Sequence, residues 1–446
     1  MLGVGLMLLS AVAAAEPVRA PTAAITTTTA IRAGRFLDPK TGAMRTDEIV
    51  LIEGERITAV GPKLTIPTGA TVIDLSGATV MPGLIDCHSH LLEADSGSIS
   101  EDDNHILTVA KMTTATRALL GAYNAKGMLE AGFTTVRDLG NSGLNGDVAL
   151  RDAISAGWVV GPRIVAATRA LSATGGQFGR INPVAKALIS QEYAVVDGVV
   201  EARRAVRQAL YDGADVIKVI VDTEPRVLSV EEVTAIVDEA HRAKRKVAAH
   251  AVSEEAMCIA ATAGVDSIEH GYYATESALR LMAKKNVVLV PTDLLYETAD
   301  EIFVAPRNPP AELRAKIDAE IRSGIELRKK RLALAVKLGV KIAAGSDIYF
   351  ATPGRTRGFW SVALLKALHA EGMSNLDAIR AATTWAATLL GWQDRVGALE
   401  AGHFADIIAV KGDPLADLAV LDQMTFVMKG GVVIANDVRP LPTTPN

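Results

Sequence analysis

Two histidines one residue apart, His88 and His90, end the apolar stretch Met81-Pro82-Gly83-Leu84-Ile85-Asp86-Cys87-His88-Ser89-His90. Residues i and i+2 of a β-strand point to one side, so both imidazoles could reach one metal ion. Taken alone, the pair fits two packed or surface histidines equally well. Four further residues with ligand chemistry fall in or at the ends of other apolar runs. Lys218 lies inside Asp215-Val216-Ile217-Lys218-Val219-Ile220-Val221, and His250 ends Lys246-Val247-Ala248-Ala249-His250. His270 ends Ser267-Ile268-Glu269-His270, and Asp347 ends Ile342-Ala343-Ala344-Gly345-Ser346-Asp347. Imidazole nitrogen suits zinc best among common metals, with manganese, cobalt and iron also compatible. A lysine in an apolar strand has its charged form disfavoured by desolvation, and two nearby cations would favour the neutral amine further. A neutral amine can add carbon dioxide, and the two oxygens of the resulting carbamate could bridge two metals. An ammonium that finds a carboxylate or solvent is the alternative for Lys218. The remaining histidines, His105, His241, His369 and His403, fall on expected helices or loops and read as surface or supporting residues.

Six such residues can work together only if the fold brings strand ends to one place. Short apolar runs recur at 133–139, 163–167, 215–221, 246–251, 267–272, 287–291 and 340–347, separated by segments rich in Ala, Glu, Lys and Arg. One of these, 230–243, has its apolar residues at helical spacing. With the opening strand this makes eight β-units alternating with helices. The pattern predicts an α/β protein built on a (β/α)8 barrel, with an open doubly wound sheet as the alternative. In a barrel the C-terminal strand ends build the site, where the six residues fall. Residues 22–80 and 395–446 are instead rich in short strand-like runs and turn residues, which predicts a small β-sandwich domain built from both termini. Met81-Pro82-Gly83 would join it to a barrel spanning 81–394. A long helix is expected over 311–336, after a proline-containing segment, 296–310, placed to form a lid or a subunit contact.

The formal net charge is −5, with no basic run that could follow a phosphate backbone, which argues against nucleic-acid binding. Cys87 and Cys258 are the sole cysteines, so no disulfide framework is expected; Cys87 reads as a small buried residue. Met1 to Ala15 resembles the apolar core and small-residue cleavage site of a secretory signal, too short for a comfortable membrane span. It predicts export to the periplasm or beyond, and a cytoplasmic enzyme if the segment is not a signal.

The chain as a whole resembles the amidohydrolase superfamily. The resemblance rests on the Met81–His90 stretch, Lys218, His250, His270, Ala344-Gly345-Ser346-Asp347 and the closing run from Gly397 to Ile407. Arg169-Ala170-Leu171-Ser172-Ala173-Thr174-Gly175-Gly176 and the segment from Gly372 to Ala387 are similar to the branch holding metal-dependent Xaa-Pro dipeptidases, imidazolonepropionase-like enzymes and ochratoxin-hydrolysing amidohydrolases. The resemblance implies two divalent ions, zinc foremost. His88, His90 and Asp347 would hold one, His250 and His270 the other, with carboxylated Lys218 between them. Asp347 would take a proton from the attacking water and pass it to the leaving amine. The implied reaction is hydrolysis of a small N-acyl amino acid or dipeptide, ochratoxin A to ochratoxin alpha and phenylalanine included, by a homo-oligomer. A cyclic-amide hydrolase, a deaminase, or a binding protein on the same fold are the alternatives. Relatives often place a histidine after Thr-Gly-Gly, where this chain has Gln177, and a Ser/Gly-rich turn where it has Asp222-Thr223-Glu224-Pro225-Arg226. Gln177, Asp222 and Arg226 are therefore candidates for substrate contact. Arg355 and Arg357, after Asp347, could hold a substrate carboxylate bidentately.

Overall fold

Eight extended segments close a parallel barrel. Strand Leu84–Ser89 pairs with Phe133–Asp138, which pairs with Arg163–Ala166. The third unit bends at Thr168 and resumes as Ala170–Ser172, and both halves reach the fourth: Asp215 donates to the Ala166 carbonyl, and Leu171 pairs with Val219. Val216–Ile220, Lys246–Ala251, Ser267–His270 and Val288–Val290 follow in parallel register. The computed structural model describes residues 28–94, 101–223, 225–350, 352 and 354–437; the expected signal at 1–15 and Glu224 lie outside the described residues.

The expected eighth strand, 340–347, holds its place with one ladder bridge, Leu289 to Ile342, and otherwise runs extended. The reason is an intruding helix end. Ala344 donates to the Ala381 carbonyl and Ile85 to that of Ala382, so the end of helix Asn375–Ala381 wedges between the eighth segment and the first strand. Cys87 donating to the Ala344 carbonyl then closes the ring above the wedge. Below the site the interior is packed with small and branched residues, including Ile85, Cys87, Val165, Val216, Ala248, Val290 and Ala343. This apolar floor forces polar inward-facing residues to the mouth.

The helices form from ordinary local signals. Val230–Arg242 starts with a capping box in which the Ser229 hydroxyl accepts from Glu232 N while the Glu232 carboxylate accepts from Ser229 N. Glu254–Ala263 is capped by Ser253 and ends at Gly264, whose left-handed φ of 88° suits glycine. The long helix runs Ala311–Lys337, and the segment before it folds as a short helix, Tyr296–Ala299, and a π-turn, Asp300–Val304. Among the described residues no helix is long and apolar enough to cross a membrane.

Strands from both ends of the chain share one seven-stranded sheet. Its order runs from Val432–Asn436 through Met424–Lys429, Ile407–Val410, Thr71–Pro82, Thr28–Asp38 and Ala43–Glu53 to Arg56–Gly61. The sheet curls over a core of its own, with Ile31, Phe36, Val50, Ile57, Leu75, Ile407 and Phe426 buried together. Its edge strand meets residues 402–405, where Ile57 donates to the His403 carbonyl and Ala405 to that of Glu55. Met81 and Pro82 end a strand of this sheet and Leu84 begins the barrel. Gly83 fills the join, because a Cβ there would lie 2.2 Å from Thr134 Oγ1.

Candidate active site

The first strand carries a β-bulge between Asp86 and Ser89. A bulge breaks strict alternation, so Cys87 can face the apolar floor while His88 turns into the mouth. There His88 Nδ1 lies 2.8 Å from Glu269 Oε2, and His90 Nδ1 lies 3.0 Å from the Gly140 carbonyl. Carboxylate and carbonyl oxygens only accept, so each ring keeps its proton on Nδ1 and turns the Nε2 lone pair inward. The two Nε2 atoms are 3.2 Å apart, and Asp347 Oδ1 is 3.4 Å from the first and 3.1 Å from the second. Three acceptor atoms converging with no donor among them form a candidate cation site. Ligand atoms held about 2.0–2.1 Å from a tetrahedral ion lie roughly 3.4 Å apart, which this group matches. Burial, then the charges of Lys218, His270, His90 and Arg137, holds His88 well below its ordinary pKa, as a ligand needs. Burial opposes charge on His90 too, but the bond to Asp347 and the carboxylates of Asp347, Asp138 and Glu93 outweigh it and lift that ring.

His270 takes a left-handed backbone, φ 69°, and so does Asp347, φ 57°. Non-glycine residues in that region collect at functional sites. At His270 the turn lets both Glu269, facing into the barrel, and the next side chain serve the mouth. His270 Nδ1 lies 2.9 Å from Thr292 Oγ1 and 3.7 Å from Asp347 Oδ2. The His250 ring sits 4.6 Å from that of His270, and both line one small hollow with Lys218, Gln177, His88, His90 and Asp347. The fold thus gathers all six residues singled out for metal chemistry.

The support behind them is dense. Glu269 is gripped by Arg137 at 2.9 Å and by Ser267 Oγ at 2.5 Å, and the same arginine holds the Cys87 carbonyl. Replacing Glu269 with Gln keeps the shape but removes the charge that holds the His88 tautomer. Metal affinity should fall about 10–100-fold, read by competition with a chelator; unchanged affinity would contradict this role. Gly345 is a second point of tension. A Cβ there would stand 2.4 Å from Val290 Cγ1 and 2.7 Å from His88 Cβ. Gly345→Ala should cost about 1–3 kcal/mol and displace His88, lowering the melting temperature and metal retention together.

Residues 79–434 match the model of the Amidohydrolase family. The chain belongs to the amidohydrolase family. It is 33% identical over 438 residues to an ochratoxinase of Aspergillus niger, covering 90% of this chain and 86% of that one. An imidazolonepropionase of Fusobacterium nucleatum subsp. nucleatum is 27% identical, covering 82% and 86%. Among solved structures, a prolidase complexed with N-methylphosphonate-L-proline superposes with a TM-score of 0.79 at 31% identity, over 92% of this chain and all of that one. The protein is a hydrolytic enzyme with the amidohydrolase fold, a barrel plus an extra domain.

Within this family fold, the residues proposed for substrate contact divide. Gln177 lines the small hollow among the ligands, with Tyr193 OH 3.3 Å from its Oε1. Asp222 instead accepts from the backbone of Val252 and Ser253 and from the Ser253 hydroxyl, fixing the chain after His250. Arg226 braces the Thr-Gly-Gly loop through the carbonyls of Thr174 and Gly176. Arg357 is buried, its fork on the carbonyls of His90, Glu93 and Tyr349. Arg355 lies over the Phe359 ring near Glu301 at the surface. Each of these four side chains is engaged in holding loops or lies outside the hollow.

His105 takes the supporting place, not the surface one. It is buried, paired with Glu93 at 2.5 Å, and lines the ligand hollow. Its helix, Glu101–Lys111, follows the first strand and lies at no strand end, so no strand-end rule could flag it. Glu269 and Arg137 were legible in principle, as charged residues on the inward face of strands.

Proposed function

We propose that this chain is a binuclear metal-dependent amide hydrolase releasing an amino acid from a small N-acyl amino acid or dipeptide, ochratoxin A among the candidates. The observation that carries the reading is the convergence of His88 Nε2, His90 Nε2 and Asp347 Oδ1 on one point. His88, His90 and Asp347 would hold one ion, His250 and His270 the other, and Lys218, as its carbamate, would lie between them. Bound divalent ions supply Lewis acidity to a carbonyl and lower the pKa of water from about 15.7 to roughly 7.

The remaining work falls to the protein. Asp347 Oδ2, turned toward His270 rather than toward the His88–His90 pair, can accept a proton from the attacking water and return it to the departing nitrogen. Glu269 and the Gly140 carbonyl keep His88 and His90 in the ligating tautomer. Arg331, on the long helix, bonds the His270 carbonyl and Asp293 and so fixes the strained turn. The similarity to ochratoxinase and prolidase supports an amide with an amino-acid leaving group.

A panel of N-acyl amino acids, Xaa-Pro dipeptides and ochratoxin A, scored for free amino acid, tests the reading. Release of amino acid from at least one class is expected. Ammonia release from amino-substituted heterocycles, with no amino acid from any member, would overturn it.

A further inference from the structure

Two hollows meet at Asp347. The smaller, about 20 Å³, lies among the metal-binding residues, and Asp347 and Tyr349 line both it and a larger one of about 450 Å³. The larger hollow is walled by Leu294, Phe303, Tyr349 and Phe350. The Phe303 and Phe350 rings meet edge to face at 4.4 Å, and Tyr349 and Phe350 lie 3.9 Å apart. Phe303 is presented by the π-turn Asp300–Val304, a conformation that recurs at functional sites. The fourth side is closed by the long helix, which sets Arg328 into the same hollow.

Arg328 pairs loosely with Asp293, whose Oδ1 makes no hydrogen bond of its own. Its Nε is buried and makes no hydrogen bond, and the nearest carboxylate oxygen, Asp293 Oδ1, is 3.4 Å away. Asp293 is already bonded through Oδ2 by Arg331, one turn along the helix. Burial, then the charge of Asp293, pushes the neighbouring Glu371 carboxyl up to about 9. Arg328 and Arg331 therefore share the Asp293 carboxylate, and the Arg328 side chain borders a cavity with aromatic walls. Glu320, which is exposed, and Asp347 are the acidic side chains on its lining.

We propose that this hollow is the leaving-group pocket and that Arg328 binds the free α-carboxylate of a departing amino acid whose aromatic or large apolar side chain packs on Phe303 and Phe350. The inference rests on the amide-hydrolase reading above and adds to it the substrate's anionic end and its side-chain class. The position fits the chemistry, since Asp347, which protonates the departing nitrogen, stands at the entrance to this hollow. It also explains why neither Arg355 nor Arg357 is needed for that task.

The test compares N-acetyl-L-phenylalanine with N-acetyl-L-phenylalaninamide, and N-acetyl-L-phenylalanine with N-acetyl-L-alanine, as substrates of the metal-loaded enzyme. Losing a hydrogen bond to a charged group should make the wild-type enzyme favour the acid over the carboxamide by about ten- to a hundredfold in kcat/KM. In Arg328→Gln that preference should collapse toward unity, with the loss in KM, while Arg328→Lys should restore part of it. Phe303→Ala should lower the preference for phenylalanine over alanine and leave the acid preference in place. Equal losses on acid and carboxamide in Arg328→Gln, or loss of bound metal, would show a structural role and overturn the inference. If the wild-type enzyme cleaves N-acyl amino acids without discriminating acid from carboxamide, this inference alone fails. If it releases no amino acid from any amide, the function proposed above fails first.

Discussion

Asp347→Asn should retain most of the bound metal and lose turnover by about 10²–10⁴-fold, the range typical of removing a positioned acid or base. The asymmetry follows from the two oxygens of this side chain. Oδ1 lies 3.4 and 3.1 Å from the histidine Nε2 atoms, and an amide oxygen can take its place as a weaker neutral ligand. Oδ2 faces the second pair of histidines, 3.7 Å from His270 Nδ1, where an amide nitrogen cannot accept a proton. The check is kcat together with metal content on one preparation. Loss of metal in proportion to activity would mean that Asp347 is a ligand alone. Its backbone, bonded to the His88 carbonyl at φ 57°, anchors the geometry in either case.

Lys218→Ala should have the second large effect, abolishing activity and weakening retention of both ions. Lys218 is 3% exposed, in the middle of strand Val216–Ile220, and lines the hollow with His250 and His270. As an ammonium it works against its neighbours: after burial, its charge is the next largest cause pushing His88 down, and it also lowers His270. A carbamate would reverse that sign and offer carboxylate-like oxygens to the ions that His250 and His270 would help hold. Partial recovery of Lys218→Ala by added acetate or formate is therefore expected, since a small carboxylate can enter the vacated volume. Unchanged turnover in the variant would show that no carbamate acts there.

The strand ends were readable because a barrel imposes one rule on all of them: an apolar floor, then a polar residue at the C-terminal end. His88, His90, His250, His270 and Asp347 obey it, while Lys218 sits at mid-strand, Val216–Ile220. Contacts made by long side chains crossing between units obeyed no local rule. Arg357 and Arg226 looked free in sequence, yet their guanidiniums hold loop carbonyls far along the chain. His105 failed for the opposite reason, because its burial depends on Glu93 and Asn141 meeting it from two other segments. The eighth strand illustrates tertiary override. Its composition is strand-like, but the incoming end of helix Asn375–Ala381 takes the hydrogen bonds a ladder would use. The cation at the larger hollow lay hidden in the long helix, where one arginine among many charged residues carries no signal until Asp293 is found shared with Arg331.

The most direct test of the central claim is the metal content of active enzyme, measured by elemental analysis beside the rate of amino-acid release during stepwise chelation. Activity should track occupancy, approach its maximum near two divalent ions per chain, vanish in the chelated protein and return on adding zinc. Full activity in protein carrying close to no metal would contradict the account.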